Sequence, residues 1–284
     1  MKLRAYAKIN LGLFILGKRP DGYHNIETVF RLIDICDDLD FVQNDGGIIF
    51  SSDSPLLAND NSNLCVRAAN LLRDLTVIHI GVEITLTKRI PLGAGLGGGS
   101  SDAAAVLKGL TKLWALDIST EELQTISATL GSDVPFFFTT QTAFAQGRGD
   151  QLTPFDLRIP FWILVATPAT HVSTAWAYTN LLVQQRPKHP DLRALLQEHV
   201  GNPRLLGSQL VNDFEETVFA HFPEIAELKR GMLAQGAVFA LMSGSGSSVF
   251  GFFDSEATAV QAQQGLSPQF FTTVTSPSFS PEIT

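Results

Sequence analysis

Cysteine is almost missing from this chain. Cys36 and Cys65 stand alone, with no CxxC pair and no Cys/His spacing, which excludes a disulfide framework and a sequence-coded zinc site. Long apolar runs are missing as well: no stretch approaches the roughly 20 residues that cross a bilayer. The opening MKLRAYAKIN has no apolar core ahead of a small-residue cleavage site. These absences predict a cytoplasmic protein in a reducing compartment, without membrane association. Positive charge is scarce too, since 20 Lys and Arg face 28 Asp and Glu and leave a formal net charge of −8. Such a surface does not hold nucleic-acid backbones, so no nucleic-acid partner is expected. A phosphate-bearing small molecule would instead depend on local devices: backbone amides at a helix start, one or two placed cations, and a metal ion. Two kinase signatures are lacking, the Gly-Lys-Ser/Thr ending of a Walker A loop and the HRD and DFG triplets of protein kinases.

What is present reads as a mixed chain in two modules. Lys2 to Leu16 and Val29 to Val42 are strand-like and predict an early sheet. Asn63 to Leu75 carries Leu64, Ala68, Leu71, Leu72 and Leu75 at helical spacing, whereas Val77 to Ile90 places Ile78, Ile80, Val82, Ile84 and Leu86 on one face of a strand. Helices are predicted from about Ser101 to Trp114 and from Glu121 to Leu130, the second opened by a Ser119/Glu122 capping box. The Pro-containing text TPFDLRIP, Thr153 to Pro160, marks a boundary between an N-terminal domain, 1–156, and a C-terminal domain, 157–284. Beyond it come a strand (Phe161 to Ala166), a helix (Ser173 to Leu182), a Pro/charge-rich loop (Gln184 to Asp191) and further helices to Leu233. Two strands around a glycine loop follow, Ala237 to Met242 and Ser248 to Phe253, and the Ser/Pro tail TSPSFSPEIT is expected to be loosely ordered.

The chemistry-bearing text is PLGAGLGGGSS, Pro91 to Ser101, between a predicted strand and a predicted helix. Five glycines within Gly93 to Gly99 let amides approach an anion without side-chain obstruction, and Ser100 or Ser101 is placed to cap the helix or to meet a phosphate-bound metal. Gly93, Gly95 and Gly98 also satisfy GxGxxG. The dinucleotide reading is disfavoured, because the chain runs from this helix through Asp117 into a second capped helix and not into a parallel strand ending in an acid.

These residues resemble the ATP loop of the superfamily of galactokinase, homoserine kinase, mevalonate kinase and phosphomevalonate kinase. Its other two motifs look like AKINLGL (Ala7 to Leu13) and LMSGSGSSVF (Leu241 to Phe250), in the expected order. Within the superfamily, AKINLGLFILGKRPDGYHNIET, LGSDVPFFF, FAQGRGDQLTP and VNDFE are similar to the family of 4-diphosphocytidyl-2-C-methyl-D-erythritol kinases, and the resemblance covers nearly the whole chain. It implies an α+β, two-domain small-molecule kinase fold with a ferredoxin-like C-terminal domain and an active site in the interdomain cleft. It implies ATP and Mg²⁺ as cofactors and phosphorylation of the 2-hydroxyl of the cytidine substrate, a step of non-mevalonate isoprenoid synthesis. The oligomeric state stays open. Alternatives are another alcohol kinase of the superfamily and a nucleotide-binding module without catalysis.

The resemblance also carries roles. Asp133, in GSDVPF, becomes the catalytic base, although an aspartate after a glycine also serves as a plain cap, and Lys8 of AKIN becomes its partner. Pro91, Leu92, Gly93, Ala94, Gly95, Leu96, Gly97, Gly98, Gly99, Ser100 and Ser101 would bind ATP, with Asn63 and Lys88 at the adenine. Asn10, Tyr23, His24, Thr174, Tyr178, Ser243 and Gly244 would bind the acceptor, with Tyr23 and Tyr178 on the two faces of its cytosine. The plainer alternatives are a core residue of its helix for Tyr178, a surface turn residue for His24 and an ordinary β-turn for the loop Ser243 to Ser248.

Overall fold

The computed structural model describes residues 1–76, 80–139, 141–181 and 189–282. The predicted strand residues 77–79, the end of the predicted helix at Leu182 and most of the loop from Gln184 lie outside them. The first half of the chain contains β1 (Lys2–Lys18), β2 (His24–Asn44), β3 (Ile48–Ser52), α1 (Leu64–Thr76), β4 (Gly81–Thr87), α2 (Gly98–Leu113) and α3 (Thr120–Ser127). A 3₁₀ turn (Val134–Phe138), β5 (Thr142–Gln146) and β6 (Gln151–Pro154) complete it. The second half contains β7 (Trp162–Thr167), α4 (Thr174–Thr179), α5 (Leu192–His199), α6 (Pro203–Gln209), α7 (Glu215–His221), α8 (Pro223–Ala234), β8 (Phe239–Met242), β9 (Val249–Phe253), α9 (Glu256–Leu266) and β10 (Phe271–Thr275).

Two sheets organise these elements. In the first, β2 is the hub: it pairs with β1 along nearly its whole length, with β4 at Asp38–Asn44 and with β5 at Thr28–Arg31, and β3 and β6 close the edges. The second sheet has the order β10-β7-β9-β8. Its chain path of strand, helices, hairpin, helix and strand is that of a split βαβ unit.

Apolar spacing explains the packing. Ala68, Ala69 and Leu72 of α1 and Ala103, Ala104, Val106, Leu107 and Leu110 of α2 are buried together against Leu39, Phe41, Ile84 and Leu86 of the first sheet. Small alanines on α2 let the two helices approach closely. A second cluster joins Ile9, Leu11, Val29 and Ile33 of the first sheet to Val165, Leu241, Phe250 and Phe252 of the second. The halves are therefore joined by a continuous apolar contact, and a cleft opens along one side of it.

Two features of β1 place side chains in that cleft. Its register shifts between Tyr6 and Lys8 and again between Asn10 and Leu13, and such bulges re-aim the residues they flank. Lys8 and Asn10, two apart on the strand, consequently point the same way.

The tail does not behave as its composition suggests. Glu282 pairs with Arg4 at 2.7 Å, Phe279 lies 5.5 Å from the ring of Tyr6, and Gln141 donates to the Phe279 carbonyl at 2.7 Å. One aromatic and one acid among the serines and prolines find partners on β1, so residues through Glu282 are packed down.

Candidate active site

The cleft encloses about 700 Å³. One end of it is built by the turn between β4 and α2. Gly97 sits at +70° in φ and starts α2 without any side-chain cap, and Ser101 makes the first helical bond, to the Gly97 carbonyl at 2.9 Å. The helix thus begins ahead of the expected Ser101, and neither serine caps it. The first-turn amides have no intrahelical acceptor, and Gly97, Gly98, Gly99 and Ser100 all line the cleft. An uncapped start of a 16-residue helix facing a cavity is an anion site by geometry and by dipole. Ser101 is turned away, buried, with its hydroxyl donating to the Tyr6 carbonyl at 2.7 Å. Leu96 is likewise a core residue, which leaves only backbone for any ligand, whereas Pro91, Leu92, Gly93, Ala94 and Gly95 line the cavity.

Beside this loop, the Lys8 ammonium lies 3.3 Å from the Asp133 carboxylate. Lys8 is buried; it donates to Asn10 Oδ1 at 2.6 Å and to the Gly95 carbonyl at 3.3 Å, and it sits 4.9 Å above the ring of Phe30. Asn10 Nδ2 in turn donates to Thr28 Oγ1 at 2.9 Å, whose hydroxyl donates to Gly12. Each rotamer in this chain is held by the next. Asp133 ends the Gly131–Asp133 turn and opens the 3₁₀ turn without capping it by its side chain, and about a third of that side chain is exposed to the cleft.

The third motif closes the cleft from the other half. Ser243 is fully buried: its hydroxyl accepts from the Asn10 amide at 3.2 Å and donates to the Gly95 carbonyl at 2.9 Å. Ser243 thus ties the two loops together and is not among the residues that line the cavity. Gly244 and Ser245 do line the cavity, and Ser245 exchanges a hydrogen bond with Thr174 at 3.0 Å. Behind the loop, Asn212 Nδ2 donates to the carbonyls of Met242 and Gly244 at 2.8 and 2.7 Å, and its Oδ1 accepts from Phe214.

At the far end Tyr23, His24 and Tyr178 all line the cavity. His24, and not Tyr23, stacks on Tyr178, with centroids 5.0 Å apart and planes 18° from parallel. Tyr23 is exposed and lies under the guanidinium of Arg148 at 5.0 Å. The cause is the turn Asp21-Gly22, where the Asp21 side chain accepts from the Tyr23 amide and hands the chain to β2 with His24, its first residue, toward Tyr178. Tyr178 also meets Phe214 edge-on at 4.9 Å. Burial, then the nearby Asp133 charge, pushes the Tyr178 phenol up to about 12, and burial lowers the His24 imidazole, helped by Lys18.

Of the two residues expected at the adenine, only Lys88 lines the cavity. Asn63 lies outside the residues lining the cavity; its Oδ1 accepts from Cys65 at 2.9 Å and its Nδ2 donates to Ala58, so it tethers the start of α1. Lys88 is held between the buried carboxylates of Asp37 and Asp102, the latter at 2.7 Å. Burial raises the Asp102 carboxyl to about 8 against the pull of the Lys88 charge, with the Asp37 charge adding to the rise. A buried ammonium so clamped supports the base of the glycine loop.

Sequence reasoning missed Asp37, Asn212, Arg148 and the buried ion pair of Asp102. Arg148 had a signal, standing between Gly147 and Gly149, both at positive φ, in the quoted text FAQGRGDQLTP. Among the described residues no group of three or more carboxylate, His or Cys side chains could hold a metal.

Comparison with known proteins agrees with this geometry. Residues 63–141 match the N-terminal domain of the GHMP kinases and residues 191–272 their C-terminal domain. A homoserine kinase structure from Cytophaga hutchinsonii shares the fold, with a TM-score of 0.76 at 18% identity, covering 97% of this chain and 94% of that one. A crystal structure of 4-(cytidine 5'-diphospho)-2C-methyl-D-erythritol kinase superposes with a TM-score of 0.85 at 36% identity, covering 97% of this chain and 98% of that one. The 4-diphosphocytidyl-2-C-methyl-D-erythritol kinases of Chlorobium limicola and Prosthecochloris aestuarii are 45% and 43% identical to it, each over 99% of this chain and 98% of its own length. Likeness of that degree from end to end, on a cleft with these parts, means that the chain belongs to the family of 4-diphosphocytidyl-2-C-methyl-D-erythritol kinases, within the GHMP kinases.

Proposed function

We propose that the cleft transfers the γ-phosphoryl group of ATP to the 2-hydroxyl of 4-diphosphocytidyl-2-C-methyl-D-erythritol, giving ADP and the 2-phosphate, in non-mevalonate isoprenoid precursor synthesis. The observation that carries the reading is the Lys8–Asp133 pair, 3.3 Å apart and beside the uncapped start of α2. The triphosphate lies on the first-turn amides of α2. Asp133, the one partly exposed carboxylate of the pair, accepts the hydroxyl proton as the acceptor oxygen bonds to the γ-phosphorus and the bond to the β-phosphate oxygen breaks. Lys8, whose ammonium lies beside that carboxylate, supplies positive charge to the incoming oxygen. Transfer of this kind rests on positioning and electrostatics, which fits a lysine and an aspartate immobilised by their neighbours.

The residues present suit a metal delivered by the nucleotide. Lys8 and Lys88 are already paired with carboxylates, so Mg²⁺ arriving with the nucleotide would supply the further positive charge that phosphoryl transfer needs. Ser100 is the residue placed to meet it. The aromatic end, formed by Tyr23, His24, Tyr178 and Phe214, holds the cytosine, and Arg148 faces the acceptor's diphosphate. The domain boundary falls between Asp156 and Leu157, where the chain leaves β6 for the second sheet. The partner is a small molecule; no described helix is long and apolar enough to cross a membrane, and we place the enzyme in the cytoplasm.

The test is ADP release with ATP and Mg²⁺ against the cytidine substrate, homoserine, mevalonate and galactose, with the product read by phosphorus NMR. Only the cytidine substrate should support turnover and yield a new phosphate monoester. Equal turnover with homoserine or mevalonate, or none with any alcohol, would contradict the reading.

A further inference from the structure

A second cavity, of about 550 Å³, lies away from the cleft, between β1, α2, α3, the 3₁₀ turn and the C-terminal tail. Ser101, Ala104, Ala105 and Lys108 face it at helical spacing. The tail completes it: Ser280, Pro281 and Glu282 form one wall, with Glu282 held by Arg4 at the rim. Its size is that of a cavity for a small organic ligand.

The lining is mixed, with Arg4, Thr120, Glu121, Gln124 and Gln141 among its polar side chains. Tyr6, Leu32, Phe137 and Phe138 supply hydrophobic and aromatic surface. Against them stands the partly buried ammonium of Lys108, which donates to the Phe137 carbonyl at 2.7 Å and lies 5.4 Å over the ring of Phe138. An ammonium has three donors. One is used on a neutral carbonyl, and among the described residues no carboxylate pairs with it. The acids of the wall are Glu282, which is bound to Arg4, and Glu121 at the start of α3. A desolvated cation without a counter-ion is costly unless a partner arrives; accordingly burial, with Lys112 adding to it, lowers the Lys108 ammonium from its ordinary value.

We propose that this cavity is a second ligand site that takes a small amphiphilic anion, its carboxylate or phosphate head on Lys108 and its apolar body between Tyr6, Leu32, Phe137 and Phe138. Its walls are the backs of catalytic parts. β1 runs on to Lys8, the face of α2 continues from the phosphate loop through Ser101, and Phe137 belongs to the turn opened by Asp133. The assignment stands on this cavity alone and does not depend on which alcohol the cleft phosphorylates.

Octanoate is a suitable probe, with octanol and inorganic phosphate as controls, titrated by calorimetry into the full chain, the full chain saturated with ADP, and Lys108→Met. Octanoate should bind saturably and equally well with ADP present. Lys108→Met, which keeps the length and loses the charge, should weaken octanoate about ten- to hundredfold, the range of a charge-assisted hydrogen bond, and should leave octanol unchanged. Loss of octanoate binding under ADP would place the ligand in the cleft. Unchanged affinity in Lys108→Met, octanol binding as well as octanoate, or no saturation would each overturn the proposal. If Lys108→Met does not fold, Lys108→Arg serves, and it should retain octanoate binding within a few-fold.

Discussion

Lys88 and Tyr178 show how much a single side chain depends on what surrounds it. Two buried carboxylates share the Lys88 ammonium, and burial raises Asp102 from its ordinary 3.8 to about 8. The folded protein therefore holds a proton that the unfolded chain releases above about pH 4. The stability tied to that proton is full below the unfolded value and is lost as pH rises toward 8, by on the order of 1 kcal/mol per pH unit at most. Asp102→Asn cannot lose the proton, so its melting temperature should climb relative to the parent as the buffer is taken from acid to mildly alkaline; parallel curves would mean that Asp102 is ionised throughout. Tyr178 supplies a ring plane to the cleft, at the end proposed to hold the acceptor. Tyr178→Ala should raise KM for the cytidine substrate roughly ten- to hundredfold, the loss of one stacking contact, and leave ATP affinity alone. Tyr178→Phe keeps the plane and should be nearly neutral. If alanine and phenylalanine behave alike, the ring does not hold the base.

At the scale of elements, the turn into α2 is the part most exposed to a small change. A Cβ on Gly97 would lie 3.0 Å from two carbons of the Lys8 side chain and 3.1 Å from the Phe137 ring, in a backbone conformation that itself costs a side chain about 1–2 kcal/mol. Gly97→Ala should weaken ATP binding far more than acceptor binding, because it crowds Lys8 and the amides together; equal loss of both, tracking the melting temperature, would indicate a folding defect. Elements of this kind were legible where the cue is local. The Ser119/Glu122 capping box is made, and the glycine run does join a strand to a helix. What could not be read needs distant partners. Lys88 meets Asp37, 51 residues away, and Asp102, 14 away, so as a lone lysine it gave no sign of burial. The bulges that aim Lys8 follow from pairing with β2. Phe279 and Glu282 belong to a Ser/Pro text whose composition reads as loose, yet one ring and one charge suffice to fix it on β1. Tyr23 and His24 are neighbours in sequence, and only the geometry of the Asp21-Gly22 turn decides which of them reaches Tyr178.

For the molecule as a whole, catalysis requires two halves to meet at one cleft. Lys8, the glycine loop and Asp133 come from the first half; the Ser243 tie, Gly244, Thr174 and Tyr178 come from the second. Asn212 holds the second half's loop through two buried carbonyls. Asn212→Ala leaves them unsatisfied, at about 1–3 kcal/mol for each, and should lower the melting temperature while raising KM for the acceptor; a variant as stable as the parent would mean that the loop holds itself. The claim on which the account turns is that the Lys8–Asp133 pair carries out the transfer. It is tested most directly by Asp133→Asn, in a single-turnover measurement with saturating ATP and cytidine substrate, alongside the ATP dissociation constant. The expected rate is lower by roughly 10²–10⁴ with ATP affinity within a few-fold of the parent, as befits a carboxylate proposed to serve the proton and not the nucleotide. A transfer rate within a few-fold of the parent would contradict it.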